Sequence, residues 1–313
     1  MSSPVSGADV VRSGGMDAPP WWPGFRAVAE LVRLPAVLSV PGDVLLGAVA
    51  AGWPSGRRTA GLVASSTCLY WAGMALNDWA DRAVDAEERP ERPIPSGRVR
   101  PEFALGMAGT LTAAGLALAS AGGRRALRVA VPLAAVVWTY DLRAKSTPAG
   151  PAVMAAARGL DVLVGAGGSS GAWPAAATVA AHTAVVTGLS RVETTGGARA
   201  ERAARGALAG TGAVTGLAAV VGLGPGKPAP RAAGRLVGSA LLAGYATELG
   251  RAQLAAARDP RAATVQRAVG AGVLGLILLE AGLLAGAGAV RLGCGLAALW
   301  PLARQLGRRV SPT

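Results

Sequence analysis

Long runs of Ala, Gly, Leu and Val dominate this chain and are broken by short polar segments. A membrane crossing needs roughly 20 mostly apolar residues to cover about 30 Å of hydrocarbon. By that measure the pattern predicts helices near 32–53, 60–77, 102–122, 125–140, 150–169, 172–190, 204–223, 231–249, 268–287 and 289–306. Only Gly286 to Gly288 separate the last two, so the expected fold is an all-α polytopic bundle of nine or ten transmembrane helices.

The breaks alternate in length. Those at 54–59, 123–124 and 224–230 are short, whereas 78–101, 191–203 and 250–267 are long and carry most of the polar residues, which puts function on one end of the bundle. Residues 1–25 are rich in Ser, Gly and Pro, with no apolar core before a cleavage site, and read as a disordered cytoplasmic tail. The membrane domain is expected at 26–306, with a short C-terminal tail at 307–313.

Composition supports the membrane reading. Hydrophobic residues make up 51% and charged residues 16%, against about a quarter charged in soluble domains. The 45 glycines and abundant alanines allow helices to approach closely without water. A formal charge of +13 raises the possibility of nucleic acid, but the basic residues are scattered between apolar runs and gather on no single face. They are better read as topology. With the N-terminus inside, 21 Lys and Arg fall on the cytoplasmic side and 9 outside, which fits the positive-inside rule. The expected location is the cell membrane, with the long polar loops in the cytoplasm. Cys68 and Cys294 lie in apolar segments without metal or disulfide spacing and are expected to be buried thiols.

Acid is concentrated in one place, "ALNDWADRAVDAEERPERPIPSGRV" at 75–99. At about 100° per residue, Asn77, Asp78, Asp81 and Asp85 share an arc of about 100° on one helix face. Such a face invites Mg²⁺, which prefers oxygen ligands and is typically held by one or two carboxylates plus substrate phosphates. An ordinary solvated loop neutralising Arg82, Arg89 and Arg92 is the competing reading.

The pattern N-D-x-x-D-x-x-x-D closing an apolar helix, followed by "RPIPSGR" at 92–98, resembles the UbiA superfamily of intramembrane prenyltransferases, from Arg33 to about Val290. The resemblance implies a UbiA-like bundle that binds Mg²⁺ through Asn77, Asp78, Asp81 and Asp85, and through it an isoprenyl diphosphate. Tyr140 and Lys145 in "YDLRAK" stand where the family carries a Tyr and a Lys, and a lysine can bind diphosphate oxygens as a point charge. Asp43, Arg158 and Asp161 are charges inside spans, costly enough to need partners. Asp161 either pairs with Arg158 or helps line the pocket, and Asp43 sits where the family tends to have a polar residue facing the cavity.

The sixth helix departs from the family. In place of a second D-x-x-x-D the chain reads "LSRVETTGGARAER", with Glu193 as a single acid and Gly197 four residues on. This stretch looks most like the EboC-type branch. Arg191 and Arg199 are the candidates to take over part of the diphosphate charge by bidentate hydrogen bonding, and Arg92, Arg191 and Lys145 to neutralise the leaving group. The implied activity is Mg²⁺-dependent transfer of an isoprenyl group to a lipophilic or aromatic acceptor. Its expected catalytic residues are Asp78, Asp81, Lys145 and Glu193, with Glu193 completing the metal rim. Membrane lipids surround the domain and no nucleic-acid partner is expected. A carrier that kept the diphosphate site but lost transfer is the alternative. His182, the only histidine, and Glu280 are expected to make structural hydrogen bonds.

The charge bias makes a topological prediction. With Cys68 and Cys294 replaced, single cysteines introduced at Ala83 and Ala198 should both react with an impermeant maleimide only from the cytoplasmic side. Labelling from opposite sides would end the shared-site reading.

Overall fold

A computed structural model describes residues 22–33, 40–52, 56–223 and 232–310, with backbone alone at 223 and 306–310. Most of the expected tail, and the connections at 53–55 and 224–231, lie outside the described residues. Those residues form α1 (Phe25–Leu31), α2 (Val40–Ala50), α3 (Arg57–Glu88), α4 (Pro101–Ala121), α5 (Arg124–Thr139) and α6 (Gly150–Gly165). After them come α7 (Trp173–Ser190), α8 (Gly197–Leu223), α9 (Ala232–Arg258), α10 (Ala262–Gly286) and α11 (Val290–Val310). Helices α2 to α11 correspond to the ten expected segments, and α1 is a short addition at the polar end. Three of them, Pro101–Ala121, Gly197–Gly222 and Ala262–Gly286, are each long and apolar enough to cross a membrane on composition alone.

Helix α11 is continuous through Val310, four residues past the expected end of the last span. One expectation needs correction. Cys68 is half-buried and Cys294 exposed, so an apolar span does not guarantee a buried thiol. On the outer surface of a membrane bundle, apolar residues face lipid.

Sequential helices pack as neighbours, and α2, α6, α7 and α10 meet in the centre while α11 lies outside against α9 and α10. Small residues set the spacing. A Cβ on Gly47 of α2 would lie 1.9 Å from the Val162 carbonyl oxygen of α6, and one on Gly165 would lie 2.3 Å from the Val44 carbonyl oxygen. Each helix therefore fits its glycine against the other's backbone, a contact any side chain would prevent. Around it a core of Leu46, Val162, Val179, Leu249, Leu279 and Leu283 joins α2, α6, α7, α9 and α10.

Helix α3 is 32 residues long, about 48 Å, and so outruns the hydrocarbon by several turns. Its first 20 residues suffice for the crossing, and Asn77 falls where the helix emerges. Pro90 follows its C-terminal residues and disfavours continuation of the helix. The loop after it folds back, with Val99 N–H donating to the Pro93 carbonyl at 2.9 Å and Ile94 and Val99 plugged against Leu76, Ala104 and Ala108. Pro101 then starts α4 at a position that needs no N–H.

Gly165→Leu should destabilise the detergent-solubilised protein by about 3 kcal/mol or more, since overpacking here meets backbone rather than a movable side chain. Gly109→Ala, where an added Cβ meets nothing within 4 Å, should change stability by less than about 1 kcal/mol. Thermal unfolding of both variants checks the contrast.

Candidate active site

The motif-bearing end of α3 meets α1, the 89–100 loop and the turn after α5. Asp78 and Asp85 are almost fully buried, at 4% and 3% exposure, yet both have cationic neighbours. Arg92, carried back by the folded loop, places Nη1 2.7 Å from Asp85 Oδ2 and 3.5 Å from Asp78 Oδ1. Ser96 Oγ donates to the Arg92 carbonyl at 2.6 Å and fixes that loop. Arg33 Nη2 lies 3.4 Å from Asp78 Oδ1 and 3.5 Å from Asn77 Oδ1. Its backbone is held at φ 49, a left-handed conformation uncommon outside glycine. Lys145 Nζ sits 2.6 Å from Asp81 Oδ1.

The turn after α5 is a π turn, Tyr140–Ala144, closed by the Lys145 N–H donating to the Tyr140 carbonyl at 3.0 Å. Such single wide turns recur at functional sites because they re-aim side chains. Here Asp141 turns inward and accepts from Asn77 Nδ2 at 3.0 Å. Burial pushes its carboxyl up to about 6, against the opposing pull of the Asn77 hydrogen bond and Lys145. Arg191 Nη1 donates to the Thr147 carbonyl at 2.6 Å, tying the α7–α8 connection to the same rim. Glu193 is half-buried in that connection. Burial raises its carboxyl, and Arg89 draws it back down.

Below the rim a cavity of about 260 Å³ runs between α3, α5 and α6. Ser66, Tyr70, Gly73 and Asn77, spaced four, three and four apart, line it along one face of α3, with Leu133 and Val137 of α5 and Met154 and Ala157 of α6 opposite. Arg33, Asn77, Tyr140 and Asp141 mark its mouth, and Ser66, Arg158 and Asp161 its floor. Arg158 pairs with Asp43 at 2.9 Å, not with Asp161, and Asp161 instead accepts from Ser66 Oγ at 2.6 Å. The i,i+3 spacing put both residues near one face of α6, but the fully buried Asp43 on α2 takes the guanidinium. Glu280 reaches the same place from α10, its carboxylate packed onto Gly42.

The arrangement brings together most of the expected residues. Asn77 and Tyr140 border the mouth, Asp78, Asp81, Asp85, Arg92 and Lys145 form ion pairs beside it, and Arg191 and Glu193 lie on adjoining connections. Arg199 is exposed on the first turn of α8 and makes no hydrogen bond or ion pair among the described residues, so it is not brought in. Residues 191–196 are a turn, and Gly196 and Gly197 take φ 62 and φ 71, so Glu193 and Gly197 are not one helical turn apart as a D-x-x-x-D register assumes. His182 is hydrogen-bonded structurally, with Nδ1 2.9 Å from the Tyr245 hydroxyl and Nε2 3.2 Å from the Gly272 carbonyl. The sequence reading missed Arg33, Ser66 and Asp141. Arg33 lies two residues before Pro35 near the head of a span and Asp141 adjoins Tyr140, but neither spacing shows an inward side chain.

No three acidic, histidine or cysteine side chains among the described residues converge closely enough to cage a metal. The donor set fits Mg²⁺ in another way. Oxygen ligands line one face beside basic groups at an open mouth, which suits an ion that keeps its waters and takes one or two carboxylates together with phosphates.

Residues 39–190 match the model of the UbiA prenyltransferase family. The digeranylgeranylglyceryl phosphate synthase of Methanopyrus kandleri is 36% identical over 129 residues, 40% of this chain and 46% of that protein. The chain thus spans about half the length of the curated relatives it matches. Among solved structures, the apo UbiA homolog from Aeropyrum pernix superposes with a TM-score of 0.63 at 20% identity, covering 80% of this chain and 96% of the other. A UbiA homolog from Archaeoglobus fulgidus bound to GPP and Mg²⁺ gives 0.60 at 17% identity, covering 82% and 99%. The fold is UbiA-like, and the family match stops just before Glu193.

Asp141 supplies a pH test. Its carboxyl is raised in the folded protein, so ionisation opposes folding above about pH 6, and that cost fades as pH falls toward the unfolded value near 3.8. Asp141→Asn keeps an acceptor for Asn77 and should raise stability at pH 7.5 by about 1–3 kcal/mol. The gain should shrink markedly at pH 4.5, as followed by unfolding in detergent.

Proposed function

We propose that the chain is an intramembrane prenyltransferase of the UbiA family that moves an isoprenyl group from its diphosphate to a lipophilic or aromatic acceptor. The observation that carries this reading is the mouth itself: an Asn–Asp–Asp–Asp face and three basic side chains above an apolar cavity in a membrane bundle. A polar head and a hydrocarbon tail are matched by these two regions in that order. The match to the family over 39–190, and the GPP and Mg²⁺ named for the Archaeoglobus fulgidus homolog, support it. The "SRVETTGG" stretch favours an EboC-type branch, whereas the named relative is a digeranylgeranylglyceryl phosphate synthase, so the reading rests at the family level. The excess of basic residues on the motif side favours a site facing the cytoplasm.

In this reading Asn77, Asp78, Asp81 and Asp85 would hold Mg²⁺ with Glu193 at the rim, and the ion's charge favours departure of the diphosphate. Arg33, Arg92 and Lys145, which now neutralise the carboxylates, turn to the phosphate oxygens once substrate arrives. Arg92 is suited to a two-pronged contact and Lys145 to a point contact. Tyr140 and Asn77 border the place where the first carbon of the tail would lie. The walls exclude water, so the allylic carbon is attacked by the acceptor rather than hydrolysed. Arg191 adds positive charge from the α7–α8 side.

A specific observation favours the rival reading, a carrier without transfer: Glu193 stands alone in a turn, so a second acidic pair is missing. Turnover decides between them. In lipid nanodiscs with Mg²⁺, isoprenyl diphosphate and an acceptor panel, wild type should release pyrophosphate. Asp78→Asn and Asp81→Asn should each weaken diphosphate binding at least tenfold without loss of folding. Glu193→Gln should lower pyrophosphate release more than binding. Binding without release across the panel would favour the carrier, and unchanged binding in both Asp variants would move the site elsewhere.

A further inference from the structure

The basic residues at the two ends of the bundle have different surroundings. At the mouth Arg33, Arg92 and Lys145 all face carboxylates. At the opposite end every connection lies within the stretches 44–77, 103–140, 162–192, 202–247 and 281–313, which contain no Asp or Glu. That end carries Arg57 and Arg58 as the first two residues of α3, and Arg124, Arg125 and Arg128 at the start of α5. All five are exposed, and Arg57, Arg124, Arg125 and Arg128 make no hydrogen bond or ion pair among the described residues.

Local electrostatics opposes this grouping. Helices α3 and α5 start after Gly56 and Gly123, with no side-chain cap and no acid in the first turn. A helix start carries partial positive charge, so cations there are repelled and anions attracted. Arg124 and Arg128, one turn apart, also repel each other. The two starts adjoin, for the Arg58 guanidinium lies 3.8 Å from the place a Gly123 Cβ would occupy. The same conflict on two neighbouring helices is of the kind that a bound anion relieves.

Depth in the membrane identifies the anion. From Arg57 to Asn77 is twenty residues of α3, about 30 Å of helix, which matches the thickness of the hydrocarbon. The mouth and these arginines therefore stand at the two headgroup levels. Trp173, 60% exposed at the start of α7, belongs to the same end, as expected of an aromatic at the interface. Arg128 starts a turn deeper, and its apolar stem can run along α5 to bring the guanidinium up to the headgroups. A zwitterionic headgroup adds a cation with its phosphate, at an end already rich in cations, whereas an anionic phospholipid adds net negative charge. We propose that the arginines at the starts of α3 and α5 bind the phosphates of anionic phospholipids, and that bound lipid ties these two helix ends together. The site does not depend on which reaction the mouth serves.

The test uses the full chain in neutral detergent, titrated with phosphatidylglycerol, phosphatidylcholine or inorganic phosphate. Native mass spectrometry reads retained lipid and thermal unfolding reads stability. Phosphatidylglycerol should be retained about tenfold more tightly than phosphatidylcholine and should raise the unfolding temperature, with both effects fading as salt rises. Arg124→Gln combined with Arg125→Gln should lose most of that preference. Without lipid the same variant should unfold no lower than wild type, because charge opposing the helix dipole is gone. Arg202→Gln combined with Arg251→Gln, which removes equal charge from exposed positions toward the mouth end, should keep the preference. Equal retention of the two lipids, an unchanged preference in the Arg124 and Arg125 variant, or an equal loss in the Arg202 and Arg251 variant would overturn the site. Stabilisation by inorganic phosphate as strong as that by phosphatidylglycerol would overturn the lipid as occupant. Should the Arg124 and Arg125 variant fail to fold, Arg57→Gln combined with Arg128→Gln should show the same loss of preference, and its absence there would overturn the proposal.

Discussion

Helices α2 and α6 touch backbone to backbone, and the charged interior depends on that contact. Gly47 and Gly165 let the two main chains come closer than any side chain would allow. At that separation Asp43 lies 2.9 Å from Arg158, and a guanidinium that would be very costly alone in hydrocarbon has a partner. The reciprocal glycines and the ion pair support one another: spread the helices and the charges separate, neutralise the charges and part of the reason for the crossing disappears. The floor of the cavity is built on this crossing, since Asp161 is carried one turn beyond Arg158.

At the opposite end the physics is reversed. There Asp78 and Asp85 are buried and Asp81 is partly exposed, and side chains from three separate segments supply the compensating charge. Arg33 comes from the stretch after α1, Arg89 and Arg92 from the loop after α3, and Lys145 from beyond the π turn. No single cation satisfies the whole acidic face, so on the proposed reading an incoming polyvalent anion would compete for the basic groups and free the carboxylate oxygens. Buried ion pairs break even only with good geometry, and the 3.4–3.8 Å contacts among these pairs are looser than the 2.7 Å link from Arg92 to Asp85.

The ten apolar segments and the acidic face were readable because both depend on spacing along one helix. A run of 20 apolar residues has one meaning in a membrane protein, and Asn77, Asp78, Asp81 and Asp85 converge by the helical period alone. Contacts between distant segments were not readable in this way. Arg158 and Asp161 suggested a pair on one helix, but the partner of Arg158 is 115 positions away on α2 and that of Asp161 is Ser66 on α3. Likewise Gly197 looked like the position of a missing acid until the connection before it proved to be a turn with two left-handed glycines. Arg33 escaped notice because what brings it to Asn77 is its own unusual backbone conformation, which leaves no periodic trace in the sequence.

The wide turn at Tyr140–Ala144 accommodates one residue more than a regular helical turn would. Removing Leu142 or Arg143 there would let the segment relax into ordinary helix with its flanks nearly in register, because the wide turn already absorbs the extra residue. What would be lost is the bulge that turns Asp141 inward to Asn77, even though every functional side chain was still encoded. For a lineage carrying this sequence, a one-residue gap in that segment would spare the bundle and mark instead a change at the mouth.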